Sequence, residues 1–257
     1  MLTALRTSDN GKVLARSSAK ADSPFMCPAC NREVVLHKGL IRIHHFAHKA
    51  RVACRLGAGE SEDHLLTKLS LFDALRTEPN AQDVELEKRF GNCVGDVFAI
   101  ISGVPVAIEI QRSALAVREI TDRTEHYHRL GIAVLWIGIP NGDLGLSRYS
   151  PAAWERWCHA AYFGRVYCWS GGQTLRPVHY APFALRVEES SWRKNGQVHS
   201  SGGYDRRSRR WRKPQPGQPV LVSNGFRRTP RQAWTGGSVH VPECTLFIDR
   251  QPNWWDQ

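Results

Sequence analysis

Apolar residues concentrate between Gly95 and Gln111 (GDVFAIISGVPVAIEIQ), in two runs that flank Ser102-Gly103. A two-residue turn ending in glycine signals a β-hairpin. Counting outward from it sets the register: Ile101 faces Val104, Ala99 faces Val106, Val97 faces Ile108 and Asp96 faces Glu109. Period-two alternation then puts Asp96, Glu109 and Gln111 on one face of an otherwise apolar hairpin. Opposed carboxylates repel, so neutralising either one is expected to hold or raise the stability of a metal-free sheet. A divalent cation between them removes the repulsion, and oxygen ligands are those that Mg²⁺ takes.

The pattern around the hairpin predicts its neighbours. Residues 59–76 read as a helix capped by Ser61, with Leu65, Leu69 and Phe72 on one face. His64 and Lys68 share another edge of it. Glu60 and Glu62 lie at its start, where carboxylates suit the helix dipole, and Glu62 is also a candidate accessory metal ligand. Asp83–Phe90 alternates like a strand. Ser113–Leu130 predicts a second helix, with Val117, Ile120, Thr124 and Tyr127 on one face and Gly131 ending it. Ile132–Ile137 is a continuous apolar run, the mark of a buried parallel strand. The order is helix, three strands, helix, strand. A short helix over Pro151–His159 and strands over Arg165–Trp169 and Thr174–His179 follow.

Ahead of this core, Leu2–Ala21 predicts a hairpin turning at Asp9-Asn10-Gly11. Cys27-Pro28-Ala29-Cys30 then precedes two short apolar stretches, His44-His45-Phe46-Ala47-His48 and Cys54. A CxxC knuckle supplies two thiolates, and a second Cys/His pair completes a tetrahedral zinc site. That pair is drawn from His45, His48 and Cys54. His48 with Cys54 is favoured and His45 competes, because along a strand His45 and His48 point to opposite faces. Such a site is structural, since the protein ligands are enough to close the metal shell.

Composition narrows the class. The 257 residues are 42% hydrophobic, enough for a sizeable core, and no run approaches the about 20 apolar residues of a membrane span. The first residues lack the long apolar segment of a signal peptide. Seven irregularly spaced cysteines argue for a reducing, cytoplasmic setting. The net charge is +11, of which residues 186–257 carry +7, a balance that permits nucleic acid as partner. From Ser190 onward Ser/Gly and Pro/Gln/Gly stretches flank Arg206, Arg207, Arg209, Arg210, Trp211, Arg212 and Lys213. This composition predicts a largely disordered basic tail over 190–257, either a solvating tail or a DNA-binding arm that tracks phosphates with Trp211 stacking on bases, and one strand near Cys244–Ile248. The expected divisions are 1–58, a β-hairpin and zinc ribbon; 59–140, the core; 141–189, a helix and strands packed on it; and 190–257, the tail.

The element order, with Asp96 on its second strand and Glu109-Ile110-Gln111 on its third, resembles the PD-(D/E)XK nuclease core. More narrowly, the chain resembles the competence protein CoiA-like family. The carriers are Cys27-Pro28-Ala29-Cys30, His45-Phe46-Ala47-His48, Ser61, His64, Lys68, Gly95-Asp96-Val97, Glu109-Ile110-Gln111, Arg123-Thr124, Val134-Leu135-Trp136 and Tyr162–Tyr167, over roughly residues 1–185. Gln111 stands where lysine is common in the wider superfamily, and Gly95 rather than proline precedes Asp96. The resemblance implies an α/β (α+β) fold with a restriction-endonuclease-like αβββαβ core, to which ligand spacing adds the zinc-binding β-ribbon and composition the disordered basic tail. It implies a metal-dependent endo- or exodeoxyribonuclease acting in DNA uptake or recombination, with partner proteins of those processes. On this reading Asp96 and Glu109 hold Mg²⁺ or Mn²⁺, Gln111 orients water or phosphate, and His64 and Lys68 approach the leaving phosphate. One rival is a DNA-binding accessory protein that keeps the fold and does not cut. Another is a histidine-metal nuclease built on His44, His45 and His48, which the adjacent CxxC argues against.

Overall fold

Ser102 and Gly103 adopt φ of 49° and 78°, the type I′ conformation whose twist suits a hairpin. The strands they join pair as the alternation requires: Ile101 with Val104, Ala99 with Val106 and Val97 with Ile108. The computed structural model describes all residues except Arg51, Arg55, Ala58, Gly59, Ser113, Ala114, residues 141–144, Leu146 and Gln257. The expected helix starts at Gly59 and Ser113 lie outside the described residues.

Five short strands come first: β1 (Thr3–Arg6), β2 (Lys12–Leu14), β3 (Phe25–Met26), β4 (Glu33–His37) and β5 (His45–His48). They form one sheet in the order β2-β1-β3-β4-β5. Phe25, Val34, Leu36, Phe46 and Cys27 make its core, so the cysteine knuckle is anchored by its own apolar cluster. Next come α1 (Glu62–Arg76), β6 (Ala81–Phe90), β7 (Cys93–Ile101), β8 (Val104–Gln111), α2 (Val117–Arg129) and β9 (Ala133–Gly138). Ser61 caps α1 by accepting the backbone N–H of His64. β6, β7 and β8 are antiparallel neighbours, and β9 runs parallel to β8 with Glu109 opposite Trp136. Every residue of β9 is buried, as its unbroken apolar run requires.

The rest of the chain extends the sheet. It comprises α3 (Ala153–Ala161), β10 (Val166–Gly171), β11 (Thr174–Val187), β12 (Ser190–Lys194), β13 (Gln197–Ser201), β14 (Tyr204–Pro216), β15 (Val220–Leu221), α4 (Val222–Gly225), β16 (Phe226–Arg231), β17 (Trp234–Gly236), β18 (Val239–Val241) and β19 (Cys244–Asp249). The main path is β14-β11-β10-β9-β8-β7-β6, and β19 pairs with β16 and with β9. The expected disorder of 190–257 is therefore corrected. Val222, Phe226, Val241, Leu246, Phe247 and Ile248 enter the main core, and the arginine-rich β14 pairs along most of β11. Composition missed this because ladder bonds are made by the backbone, whatever charge the side chains carry. Among the described residues no helix is long and apolar enough to cross a membrane.

Candidate active site

Lys68 is wholly buried on the inner side of α1 and gathers three carboxylates. Its Nζ donates to Glu87 Oε1 at 2.8 Å and to Glu60, and lies 3.5 Å from Asp96 Oδ1. His64, one turn earlier, sits with Nε2 3.2 Å from Asp96 Oδ2 and Nδ1 3.3 Å from Glu60 Oε1. Burial opposes charge on His64, but Asp96 and then Glu60 outweigh it and raise its pKa to about 9. Burial likewise works against ionised Asp96, yet His64 and Lys68 hold it at about 2. Glu87 is fixed from a second side, because the backbone N–H groups of Leu2 and Thr3 donate to its two oxygens at 2.7 and 2.9 Å.

Glu109 has separate company on α2. Its Oε1 accepts from Tyr127 Oη and pairs with Arg123. Arg123 also donates to the carbonyl of Val94 at 2.9 Å. Burial pushes the Glu109 pKa up, and Arg123 only partly offsets it.

Strict alternation would give Asp96 and Glu109 the same surroundings, and here the pleat breaks. Glu87, in the neighbouring strand, has φ of 50°, a left-handed conformation rare outside glycine. The β7–β8 ladder is regular only as far as Val97–Ile108, and beyond it Asp96 Oδ2 accepts the Ile110 N–H at 2.9 Å. Gly95 is the residue that faces α2: a Cβ there would lie 3.0 Å from Tyr127 Oη and 3.9 Å from Glu109 Oε1. Asp96 turns instead to α1. Each carboxylate has its own cation, so the expected repulsion between them is not what governs the metal-free sheet.

Two further expectations are corrected. Lys68 has no exposed side-chain surface and so does not approach a phosphate; it positions Asp96 and Glu60. Glu62 is exposed and accepts the backbone N–H of Ile43 at 3.3 Å. Glu60, two residues earlier, is the carboxylate beside Asp96: the ligand atoms of Glu60, His64 and Asp96 lie within 4.8 Å of one another. Its placement just before the Ser61 cap was visible in the sequence only as a helix-dipole signal. Nothing in the alternation of β6 singled out Glu87.

In the N-terminal sheet, ligand atoms of Cys27, Cys30, His48 and Cys54 also lie within 4.8 Å of one another. Cys27 and Cys54 sulfurs are 3.9 Å apart and Cys30 Sγ is 3.2 Å from His48 Nε2. Zn–S bonds of about 2.3 Å in a tetrahedron set sulfurs about 3.8 Å apart, so this donor set is compatible with a tetrahedral metal. Burial raises the Cys27 thiol to about 12 without a metal. His45 is elsewhere engaged, with Nδ1 2.9 Å from the Ile43 carbonyl and its ring stacked on His37 at 5.1 Å. His44 and His45 belong to neither ligand group.

One cleft of about 890 Å³ joins the two clusters. Cys30 and Cys54 line one part of it; Glu60, His64, Asp96, Glu109 and Gln111 line another, with Arg112, Arg123 and Arg129 alongside. Arg206, Arg207, Arg209, Arg210 and Lys213 are exposed on β14, with Trp211 and Arg212 half-buried, and none of these residues lines the cleft.

An αβββαβ element order with a carboxylate-lined cleft beside a cysteine–histidine knuckle makes this a mixed α+β protein with two candidate metal-binding groups. Residues 10–57 match the family described as Competence protein CoiA, N-terminal domain, and residues 60–145 match Competence protein CoiA, nuclease-like domain. The chain is 30% identical over 193 residues to Competence protein CoiA of Bacillus subtilis (strain 168), a match covering 70% of this chain and 50% of that relative. It thus spans about half the length of the curated relative it matches. The chain belongs to the CoiA-like family. No solved structure matches it.

Proposed function

We propose that this chain hydrolyses phosphodiester bonds of DNA with the help of a divalent metal, in the processing or recombination of DNA linked to competence, and that its core is of the PD-(D/E)XK type. The observation that carries this reading is the single cleft lined by Asp96, Glu109 and Gln111 together with Glu60 and His64. The carboxylates of Glu60 and Asp96 lie within ligand distance of each other, a donor set that Mg²⁺ or Mn²⁺ accepts, and Glu109 lines the same cleft outside that group. Asp96 and Glu109 would hold the ion, with Glu60 beside Asp96. Bound there, it polarises a phosphoryl oxygen and lowers the pKa of a water. Gln111 orients that water through its carbonyl or steadies the phosphate through its NH₂. Lys68 fixes Asp96 and Glu60 from behind. Cys27, Cys30, His48 and Cys54 would hold a structural zinc, four protein ligands leaving no open position for a substrate.

A second reading, a DNA-binding protein that does not cut, draws support from one feature. Lys68 and Arg123 already neutralise Asp96 and Glu109, and Gln111 stands where a lysine is common. A nuclease assay on linear, single-stranded and branched DNA with Mg²⁺ or Mn²⁺ separates the two. Cleavage that is lost in Asp96→Asn and in Glu109→Gln supports the first. DNA binding with no cleavage under any of these metals selects the second. Wild-type cleavage in Asp96→Asn, free of contaminating nuclease, rules out this site.

A further inference from the structure

The arginine-rich stretch is a built feature with its own scaffold. Between the pairs Pro182–Arg212 and Ala184–Arg207, β11 supplies one residue, Phe183, where β14 supplies four, Ser208–Trp211. This bulge is closed by local bonds. Ser208 Oγ accepts the N–H groups of Arg210 and Trp211 at 3.2 and 2.8 Å. Arg212 Nη1 donates to the carbonyls of Ser208 and Trp211 at 2.9 and 2.8 Å. It is also tied to the core: Tyr149 and Arg212 exchange two backbone bonds of 2.8 Å, and Tyr149 Oη donates to buried Glu155 on α3.

Around it, like charges are brought together. The guanidiniums of Arg148 and Arg210 lie 4.9 and 4.7 Å from the Trp211 ring centre, with Arg209 exposed next to them. Beyond the bulge, β11 and β14 run on as a two-stranded ribbon that ends in the β12–β13 hairpin, every residue of which is exposed. Residues 182–213 carry nine Lys+Arg and three Asp+Glu. Among the described residues these cations make one ion pair, Arg186 with Asp205 at 3.6 Å. A rigid, uncompensated array of cations is stabilised when it meets an anion of matching length.

Resting on the reading that DNA is the ligand, we infer that residues 182–213 form a β-ribbon contact for duplex DNA, entering the major groove while Arg148, Arg209 and Arg210 at its base grip the phosphate backbone. The major groove, about 12 Å wide, admits a two-stranded ribbon and supplies walls to both of its exposed faces. A single strand offers no such walls. It binds chiefly by stacking bases on free aromatic faces, whereas the Trp211 ring is engaged by two guanidiniums and Trp192 is stacked on His199.

The test is fluorescence anisotropy of the full chain, without added Mg²⁺, on a DNA duplex of about three helical turns and on its separated strand over a salt series. Two variants are compared with wild type: Arg148→Gln/Arg209→Gln/Arg210→Gln at the base, and Arg193→Glu/Lys194→Glu at the tip. Both change exposed side chains, and an unchanged thermal midpoint verifies folding. Each is expected to weaken duplex binding by about tenfold or more, and the base variant to flatten the log–log salt slope by about 0.9 for each phosphate it no longer neutralises. Single-strand affinity should fall by clearly less than duplex affinity, because a single strand offers phosphates but no groove to the ribbon. Unchanged duplex affinity, or equal losses on both DNA forms, overturns the ribbon contact. Intact cleavage by such unaffected variants overturns it while leaving the nuclease reading standing. A wild-type chain that binds neither form overturns both.

Discussion

Lys68 Nζ donates to Glu87 Oε1 across 2.8 Å, and neither side chain has any solvent-exposed surface. A buried lysine shared among Glu87, Glu60 and Asp96 makes the packing of α1 on the sheet an electrostatic matter as well as an apolar one. Such an arrangement is sensitive to the loss of one partner, because the charge left behind is stranded away from water.

Lys68→Met is therefore expected to lower stability by about 3–5 kcal/mol in urea unfolding, with no metal added. Adding Glu87→Gln to it should cost less than the sum of the two single changes, since the pair is coupled. A single-variant loss below about 1 kcal/mol would show that the network is not holding α1 in place.

Neutralising the two cleft carboxylates should have unequal effects on the metal-free protein. Glu109→Gln leaves Arg123, whose side chain is half-buried, without its carboxylate. A loss on the order of 3 kcal/mol follows. Asp96→Asn leaves Lys68 still paired with Glu60 and Glu87, so its loss should be smaller. Equal or reversed losses in denaturant titrations would restore repulsion between the two carboxylates as the governing term.

His159 supplies a pH test away from the cleft. Its Nε2 accepts the backbone N–H of Tyr180 at 3.1 Å and lies 3.2 Å from His179 Nδ1. Burial, then His179 and Arg212, lower its pKa from 6.5 to about 4. The folded state thus binds this proton less readily than the unfolded chain, and stability is lost as pH falls from 6.5 towards about 4. At 1.36 kcal/mol per unit the full effect is on the order of 3 kcal/mol. His159→Gln keeps an acceptor without the titration and should flatten that limb in thermal unfolding at stepped pH. An undiminished acid loss in the variant would assign it to other groups.

The knuckle predicts about one zinc per chain. Cys27→Ser should reduce metal content and thermal midpoint together, because binding free energy at such a site is also folding free energy. His45→Ala should leave metal content unchanged, as its ring lies with His37 outside the ligand group. Protein purified without chelators that holds no zinc would remove the assignment.

Local periodicity, on its own, determined the hairpin at Ser102-Gly103, its register as far as Val97–Ile108, the αβββαβ order and the parallel strand β9. These follow from backbone geometry repeated every two or 3.6 residues, which a single stretch of chain encodes. Ligand spacing brought out Cys27, Cys30, His48 and Cys54 with His45 as a competitor, since a short ribbon limits which thiols and imidazoles can meet, and the folded ribbon sets His45 apart on His37. Only the tertiary structure decided that Asp96 turns to α1 while Glu109 turns to α2. The ladder to β8 stops at Val97–Ile108, and Asp96 is held instead by His64 and Lys68 of α1, residues from outside its own segment. It likewise decided that Glu60 rather than Glu62 joins the cleft, and that Lys68 lies behind it. The C-terminal quarter was misread from composition because its order comes from long-range pairing, β14 on β11 and β19 beside β9. The energy of those contacts depends on edges and pockets contributed by residues far away in the chain, which no window of the sequence contains.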